Sequence, residues 1–108
     1  MAMNRFEYYE PDTLDEAVSL LRRHNGQASV LAGGTDLLVE IKEHLRRPQH
    51  IINIKKIPDM RHLHFSEAAG LRFGSLVTAR EIETSSEVRG GYRGLAQAVS
   101  EIGSIQIR

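Results

Sequence analysis

The sequence predicts an α/β (α+β) chain: a small parallel βαβ unit, followed by a hairpin and flanking helices. Three observations predict it. Apolar residues recur at helical spacing behind a capping signal at Thr13. Two short apolar runs, at 28–32 and 50–54, enclose a second helical pattern with short connections. Two further short runs, at 62–65 and 71–74, are joined by a turn through Glu67 and Gly70. The chain has 108 residues, enough for one domain with a modest core, and is read as a single domain over 1–108.

The first helix is expected from Leu14 to about His24. Pro11-Asp12 precedes it, and Thr13-Leu14-Asp15-Glu16 has the form of a capping box. In such a box the threonine hydroxyl accepts from the Glu16 amide and the glutamate reaches back to the threonine amide. Leu14, Ala17, Val18 and Leu21 form an i, i+3, i+4, i+7 stripe. Arg22, Arg23 and His24 suit the negative end of the helix dipole, and Gly26 suits a left-handed residue past the helix end. Ala28–Ala32 is short and apolar between turn signals, as a buried strand is. Gly33-Gly34 stops it, and Thr35-Asp36 opens a helix with Leu37, Leu38, Ile41 and Leu45 on one face, ended by Arg46-Arg47-Pro48. His50–Ile54 is the next strand. Strand, helix, strand with short links implies parallel strands and a right-handed crossover.

Lys55–Arg61 is expected to be a polar loop, and the runs at 62–65 and 71–74 an antiparallel hairpin. Thr78-Ala79-Arg80-Glu81 is a second capping box, opening a short helix to about Thr84. Ser85–Gly91 is expected as a loop, and Tyr92–Ile102 as a helix with Leu95, Ala98, Val99 and Ile102 on its apolar face and Gly103 as its stop. Ile105 and Ile107 then alternate with Gln106 and Arg108 like the start of a strand.

Composition excludes several function classes. Lys+Arg and Asp+Glu are both 14, so the formal net charge is zero, and general nucleic-acid binding lacks its surplus of cations. Without cysteine there are no disulfides, thiolate metal sites or cysteine nucleophiles. No apolar run is long enough to span a membrane, and no secretory h-region follows Met1, so the cytoplasm is the default expectation and no membrane partner is expected.

The segment with most chemical content is Val30-Leu31-Ala32-Gly33-Gly34-Thr35-Asp36-Leu37-Leu38. A strand ends in two glycines and a helix begins at once. Glycines let a backbone approach a ligand closely, and the first amides of a helix have no internal partner. Together they suit a phosphate or pyrophosphate. The same residues also suit a plain βα turn with Thr35 as N-cap. The pattern is neither a P-loop nor the dinucleotide GxGxxG. His62 and His64 are two apart and could share a strand face as metal ligands do, but no third ligand is near, and a solvated face explains them. His24, His44 and His50 sit at element ends as surface or capping residues. No catalytic residue and no metal ligand is assigned.

Several segments resemble the FAD-binding (medium) subunits of molybdenum hydroxylases of the xanthine dehydrogenase and carbon monoxide dehydrogenase type. They are Phe6-Glu7-Tyr8-Tyr9-Glu10-Pro11, the Val30–Leu38 segment, Ile51-Ile52-Asn53-Ile54, Leu71–Thr78 and Gly103–Arg108, in that order. The resemblance implies the N-terminal lobe of a p-cresol methylhydroxylase-type FAD domain. It implies that backbone amides of Ala32, Gly33, Gly34, Thr35 and Asp36 wrap the FAD pyrophosphate, with Leu31 and Leu37 packing beside the cofactor. It implies an electron-transfer role between a molybdenum centre and an external acceptor, with iron–sulfur and molybdopterin subunits as partners in a hetero-oligomer. Family members run to more than twice this length and continue into a second glycine-rich flavin segment. The chain is therefore expected to be a truncated product, inactive alone, with weak or no FAD affinity. The alternative expectation is a non-catalytic module that self-associates or pairs with a partner through its exposed lobe surface. A weaker alternative is an autonomous binder of a small phosphate ligand.

Overall fold

The computed structural model describes residues 5–102. The expected strand start at 105–108 and the helix stop at Gly103 lie outside the described residues. The chain divides into two compact units, one ending at Pro58 and the other beginning at Asp59.

The first unit contains β1 (Glu7–Tyr9), α1 (Leu14–Arg23), β2 (Ala28–Leu31), α2 (Leu37–Lys42) and β3 (His50–Asn53). Its sheet has three strands in the order β1-β3-β2, all parallel. The expected βαβ unit is β2-α2-β3. The addition is β1, which the sequence pattern did not show. It has only three residues and no alternation, and its partner lies some forty residues along the chain, with Glu7 opposite His50 and Tyr9 opposite Ile52. The connections β1-α1-β2 and β2-α2-β3 run in opposite directions across the sheet. Right-handed crossovers therefore put α1 and α2 on opposite faces. That arrangement explains why Ile51, Ile52 and Asn53 of the central strand are all buried.

Local signals set α1 largely as expected, with two differences. The Thr13 hydroxyl accepts from the Glu16 amide at 3.1 Å. The Glu16 carboxylate, however, accepts from the amide of Asp12 rather than that of Thr13. The buried face is also rotated from the predicted stripe. Ala17 and Leu20 are buried, while Leu14 is 57% and Val18 38% exposed. The apolar arc of this helix is wider than the face the sheet covers, so its edge stays in solvent. Gly26 does take a left-handed φ of 82°.

The second helix is shorter than predicted. It ends at Lys42, because His44 takes a left-handed φ of 60°. The Leu45 amide donates to the Glu40 carbonyl at 2.8 Å and the His44 amide to Ile41 at 3.1 Å, the hydrogen bonds of a Schellman termination. Leu45, expected on the apolar face, is consequently 75% exposed. Arg46 lies beyond the helix and folds back to pair with Glu40 at 3.1 Å.

The second unit contains the antiparallel pair β4 (Leu63–Ser66) and β5 (Gly70–Phe73), then α3 (Ala79–Thr84), α4 (Ser86–Gly91) and α5 (Arg93–Ser100). The hairpin turn is closed by the Ser66 hydroxyl, which accepts from the Ala69 amide at 3.0 Å. Thr78 and Glu81 form the complete capping box, with hydrogen bonds of 3.1 and 3.2 Å. The helix α4 replaces an expected loop. Gly90 and Gly91 disfavour a helix, but the Ser85 hydroxyl caps it by accepting from the Val88 amide, and Val88 is wholly buried. Ile82, Val88 and Val99 centre this unit's core, with Leu63, Leu71, Val77 and Leu95 against them.

The chain after β5 runs hard against the loop before β4. Gly74 donates to the His62 carbonyl at 2.9 Å and Leu76 to the Met60 carbonyl at 2.8 Å. A Cβ on Gly74 would overlap the Met60 carbonyl group. Because the obstacle is backbone, Gly74→Ala is expected to destabilise the chain by about 1–3 kcal/mol. An unchanged urea midpoint would contradict this close approach.

Candidate functional site

The candidate site is the turn that leaves β2 and enters α2. Leu31 is the last residue of β2 and Leu37 the first of α2, so the predicted site residues form one continuous turn. Gly33, Thr35 and Asp36 are exposed; Leu31, Ala32, Gly34 and Leu37 are half-buried.

The two glycines do different work. Gly34 has φ 84°, and a Cβ there would meet Leu31 Cδ1 at 3.0 Å and Leu38 Cδ1 at 3.2 Å. It is required by the turn itself and by the two leucines that close over it. At Gly33 a Cβ would meet nothing within 4 Å. The space beside Gly33 is open, so a group could approach its backbone closely. Among the described residues, none of the amides of Ala32, Gly33, Gly34, Thr35 and Asp36 donates to a main-chain acceptor, whereas the following turn is closed by Leu38 to Gly34 at 3.0 Å and Glu40 to Asp36 at 2.9 Å. Consecutive unpartnered amides in a glycine turn favour an anion with several acceptor oxygens.

Thr35 is not the N-cap. That position is held by Asp36, which has helical φ and ψ and makes no side-chain cap hydrogen bond. The chain enters the helix through the turn at residues 35 and 36, which Leu38 closes on the Gly34 carbonyl without a hydroxyl cap. Thr35→Ala is accordingly expected to change stability by no more than about 0.5 kcal/mol, less than loss of a true cap would. Equilibrium denaturation of the variant checks this.

Sequence reasoning missed Lys55, which it placed in a polar loop. Its Nζ donates to the carbonyl oxygen of Ala32 at 2.9 Å. Its own amide donates to Asn53 Oδ1 at 2.9 Å, and buried Asn53 donates through Nδ2 to the Tyr8 hydroxyl at 2.6 Å. Tyr8, at the register position of Ile51, and Asn53 share one face of the sheet. A side chain from each of two strands thus braces the loop that reaches the turn. The signal available in the sequence was position: Lys55 lies two residues past a strand predicted to run parallel to the Gly-Gly strand.

The histidines lie elsewhere. His50 opens β3, at the end of the sheet opposite the turn, and His24 is the C-cap of α1. Their rings stack with centroids 3.6 Å apart, and the Tyr9 hydroxyl lies 3.1 Å from His50 Nδ1 and 3.4 Å from His24 Nε2. His62 precedes β4 and donates through Nδ1 to the Asp59 carbonyl at 2.9 Å, while His64 is exposed on β4. Among the described residues no group of three or more His, Cys, Asp or Glu could hold a metal ion.

Burial among the neighbouring rings pushes the half-buried His24 below the ordinary imidazole value of 6.5, and charge on His50 and Arg23 adds to the shift. Folded His24 therefore takes up its proton less readily than unfolded His24. This contribution to stability is complete above the unfolded value and is lost as pH falls through the lower folded value. The melting temperature is expected to drop as pH falls through 6.5 and below, and His24→Gln is expected to flatten that drop. An equally steep drop in the variant would assign the effect to other groups.

Comparison with known proteins places the chain in a family. Residues 4–108 match the family described as FAD binding domain in molybdopterin dehydrogenase. The chain is 36% identical over 107 residues to the nicotinate dehydrogenase FAD-subunit of Eubacterium barkeri, covering 98% of this chain and 36% of that protein. It is 36% identical to the xanthine dehydrogenase FAD-binding subunit of Escherichia coli O157:H7, covering 94% of this chain and 34% of that protein. In the solved structure of the carbon monoxide dehydrogenase from Hydrogenophaga pseudoflava that lacks the Mo-pyranopterin moiety, one chain superposes with a TM-score of 0.91. The identity is 33%, covering 100% of this chain and 37% of that chain. A parallel sheet with a glycine turn at the carboxyl ends of its strands defines a class of α/β ligand-binding domains. Within that class, the chain belongs to the family of FAD-binding domains of molybdopterin dehydrogenases. It spans just over a third of the length of the curated relatives it matches. No helix among the described residues is long and apolar enough to cross a membrane.

Proposed function

We propose that this chain is the pyrophosphate-gripping part of the FAD site in an electron-transfer subunit of a molybdenum hydroxylase. The observation that carries the reading is the Ala32–Asp36 turn, with its unpartnered amides and the open space beside Gly33. In this reading Ala32, Gly33, Gly34, Thr35 and Asp36 hold the diphosphate through main-chain N–H groups, and Leu31 and Leu37 pack beside the cofactor. The residues present fit that role: a diphosphate offers several acceptor oxygens at close spacing, and the turn offers several donors without bulk at Gly33. Bound FAD supplies the two-electron chemistry, which the chain's side chains do not. The chain's own contribution is to bind and orient the nucleotide half. Iron–sulfur and molybdopterin subunits are the proposed partners in a hetero-oligomer, and turnover belongs to that assembly.

Titration of the purified chain with FAD, ADP and riboflavin, followed by calorimetry, tests the reading. FAD and ADP are expected to bind competitively and riboflavin not to compete, because the grip is on the diphosphate. Gly33→Val is expected to fold normally and to weaken ADP binding by about tenfold or more, since its side chain fills the space the ligand uses. Gly34→Val is a poorer test, because its side chain would disturb Leu31 and Leu38 whether or not a ligand binds. Riboflavin binding as tightly as ADP, or Gly33→Val binding as tightly as the parent chain, would overturn the reading.

A further inference from the structure

We infer that Lys55 is a positioning residue for the diphosphate turn, which it serves by fixing the orientation of the Ala32–Gly33 peptide; this rests on the reading just proposed. The carbonyl of Ala32 and the N–H of Gly33 belong to one planar trans peptide. Holding the oxygen therefore fixes the direction of the N–H, which points the opposite way. Lys55 Nζ holds that oxygen at 2.9 Å. Gly33 is exposed, is followed by a left-handed glycine and makes no main-chain hydrogen bond of its own among the described residues, so little else in the backbone determines how this peptide is turned.

The lysine is itself held from inside the sheet. Asn53 is 5% exposed, the one buried polar residue among those described; its Nδ2 donates to the Tyr8 hydroxyl and its Oδ1 accepts from the Lys55 main chain. The Ile54 amide donates to the Leu31 carbonyl at 3.1 Å, which carries the β2–β3 pairing one residue past both strands and keeps the two loops in register. The adjacent Lys56 turns elsewhere and pairs with Glu10 at 3.6 Å. The ammonium of Lys55 lies on the carbonyl side of the peptide and the ligand is bound on the N–H side. Its role is therefore to orient a donor, and the phosphate oxygens are met by the amides.

The test combines ligand binding with a measurement local to Gly33. In Lys55→Met, ADP affinity is expected to fall about three- to tenfold, the loss of one oriented hydrogen bond. Lys55→Arg, which keeps a donor, is expected to restore most of it. Amide relaxation by NMR is expected to show a lower order parameter for Gly33 in Lys55→Met, with the Gly26 amide unchanged and the melting temperature unaltered. A merely structural role would move the melting temperature and leave Gly33 no more mobile than Gly26. If the parent chain binds ADP and Lys55→Met binds it equally well, the role of Lys55 is overturned and the turn stands as the binding site. Weaker binding with an unchanged Gly33 amide would also overturn it, in favour of a direct ammonium–phosphate contact. If the parent chain binds neither ADP nor FAD, the reading of the turn fails and this inference fails with it.

Discussion

The first unit depends on the parallel pairing of β3 with strands on both sides. Ile51 and Ile52 are almost completely removed from water, and they can be so only because β1 and β2 flank them and a helix lies on each face. Because side chains alternate along a strand, this pairing also decides what shares a face. It sends Tyr8, Ile51 and Asn53 to one side, and Tyr9, His50 and Ile52 to the other. A slip of one residue would exchange the two sets and dismantle both polar constellations of this unit. The register therefore does more than assemble a core. It sets where the loop after β3 leaves the sheet, and so where Lys55 begins.

Polar side chains in this unit gather in two clusters, one on each face of the sheet. At the carboxyl ends, Tyr8, Asn53 and Lys55 form a chain of hydrogen bonds that finishes on the main chain of the glycine turn. Its inner member is buried and satisfied, which is the condition for a polar group to stiffen a fold rather than weaken it. On the opposite face, Tyr9, His24 and His50 make an aromatic cluster that ties the end of α1 to the first residue of β3. Burial in this stack, with the neighbouring His50 and Arg23, holds His24 below the ordinary imidazole value.

The second unit reaches its shape by steric means. Gly74 is needed because a neighbouring carbonyl occupies the place of its side chain, and the hydrogen bonds from Gly74 and Leu76 to the segment before β4 could not form at a greater distance. Short capped helices then complete the core. Val88 shows how burial overrides propensity: a helix carrying two glycines persists because its central valine has no exposure to water.

The sequence by itself determined the features that depend on neighbours within about four residues: the Thr13 and Thr78 caps, the left-handed Gly26, the hairpin turn at Gly70, and the glycine turn between β2 and α2. These are local because a cap or a turn is closed by its own chain. Only the tertiary structure decided the rest. It made a strand of Glu7–Tyr9, because a strand of three residues exists only by virtue of its partner. It chose Ala17 and Leu20 over Leu14 and Val18 as the buried face of α1, because an apolar arc wider than the covering surface leaves its choice to the sheet. It ended α2 at Lys42 and gave the cap position to Asp36. It also joined Asn53 to Tyr8 across 45 residues and His50 to Tyr9 across 41, and brought Lys55 to Ala32 across 23. No periodicity announces such pairs, since each partner reads locally as an ordinary strand or loop residue. Their meeting is a consequence of the order and register of the strands.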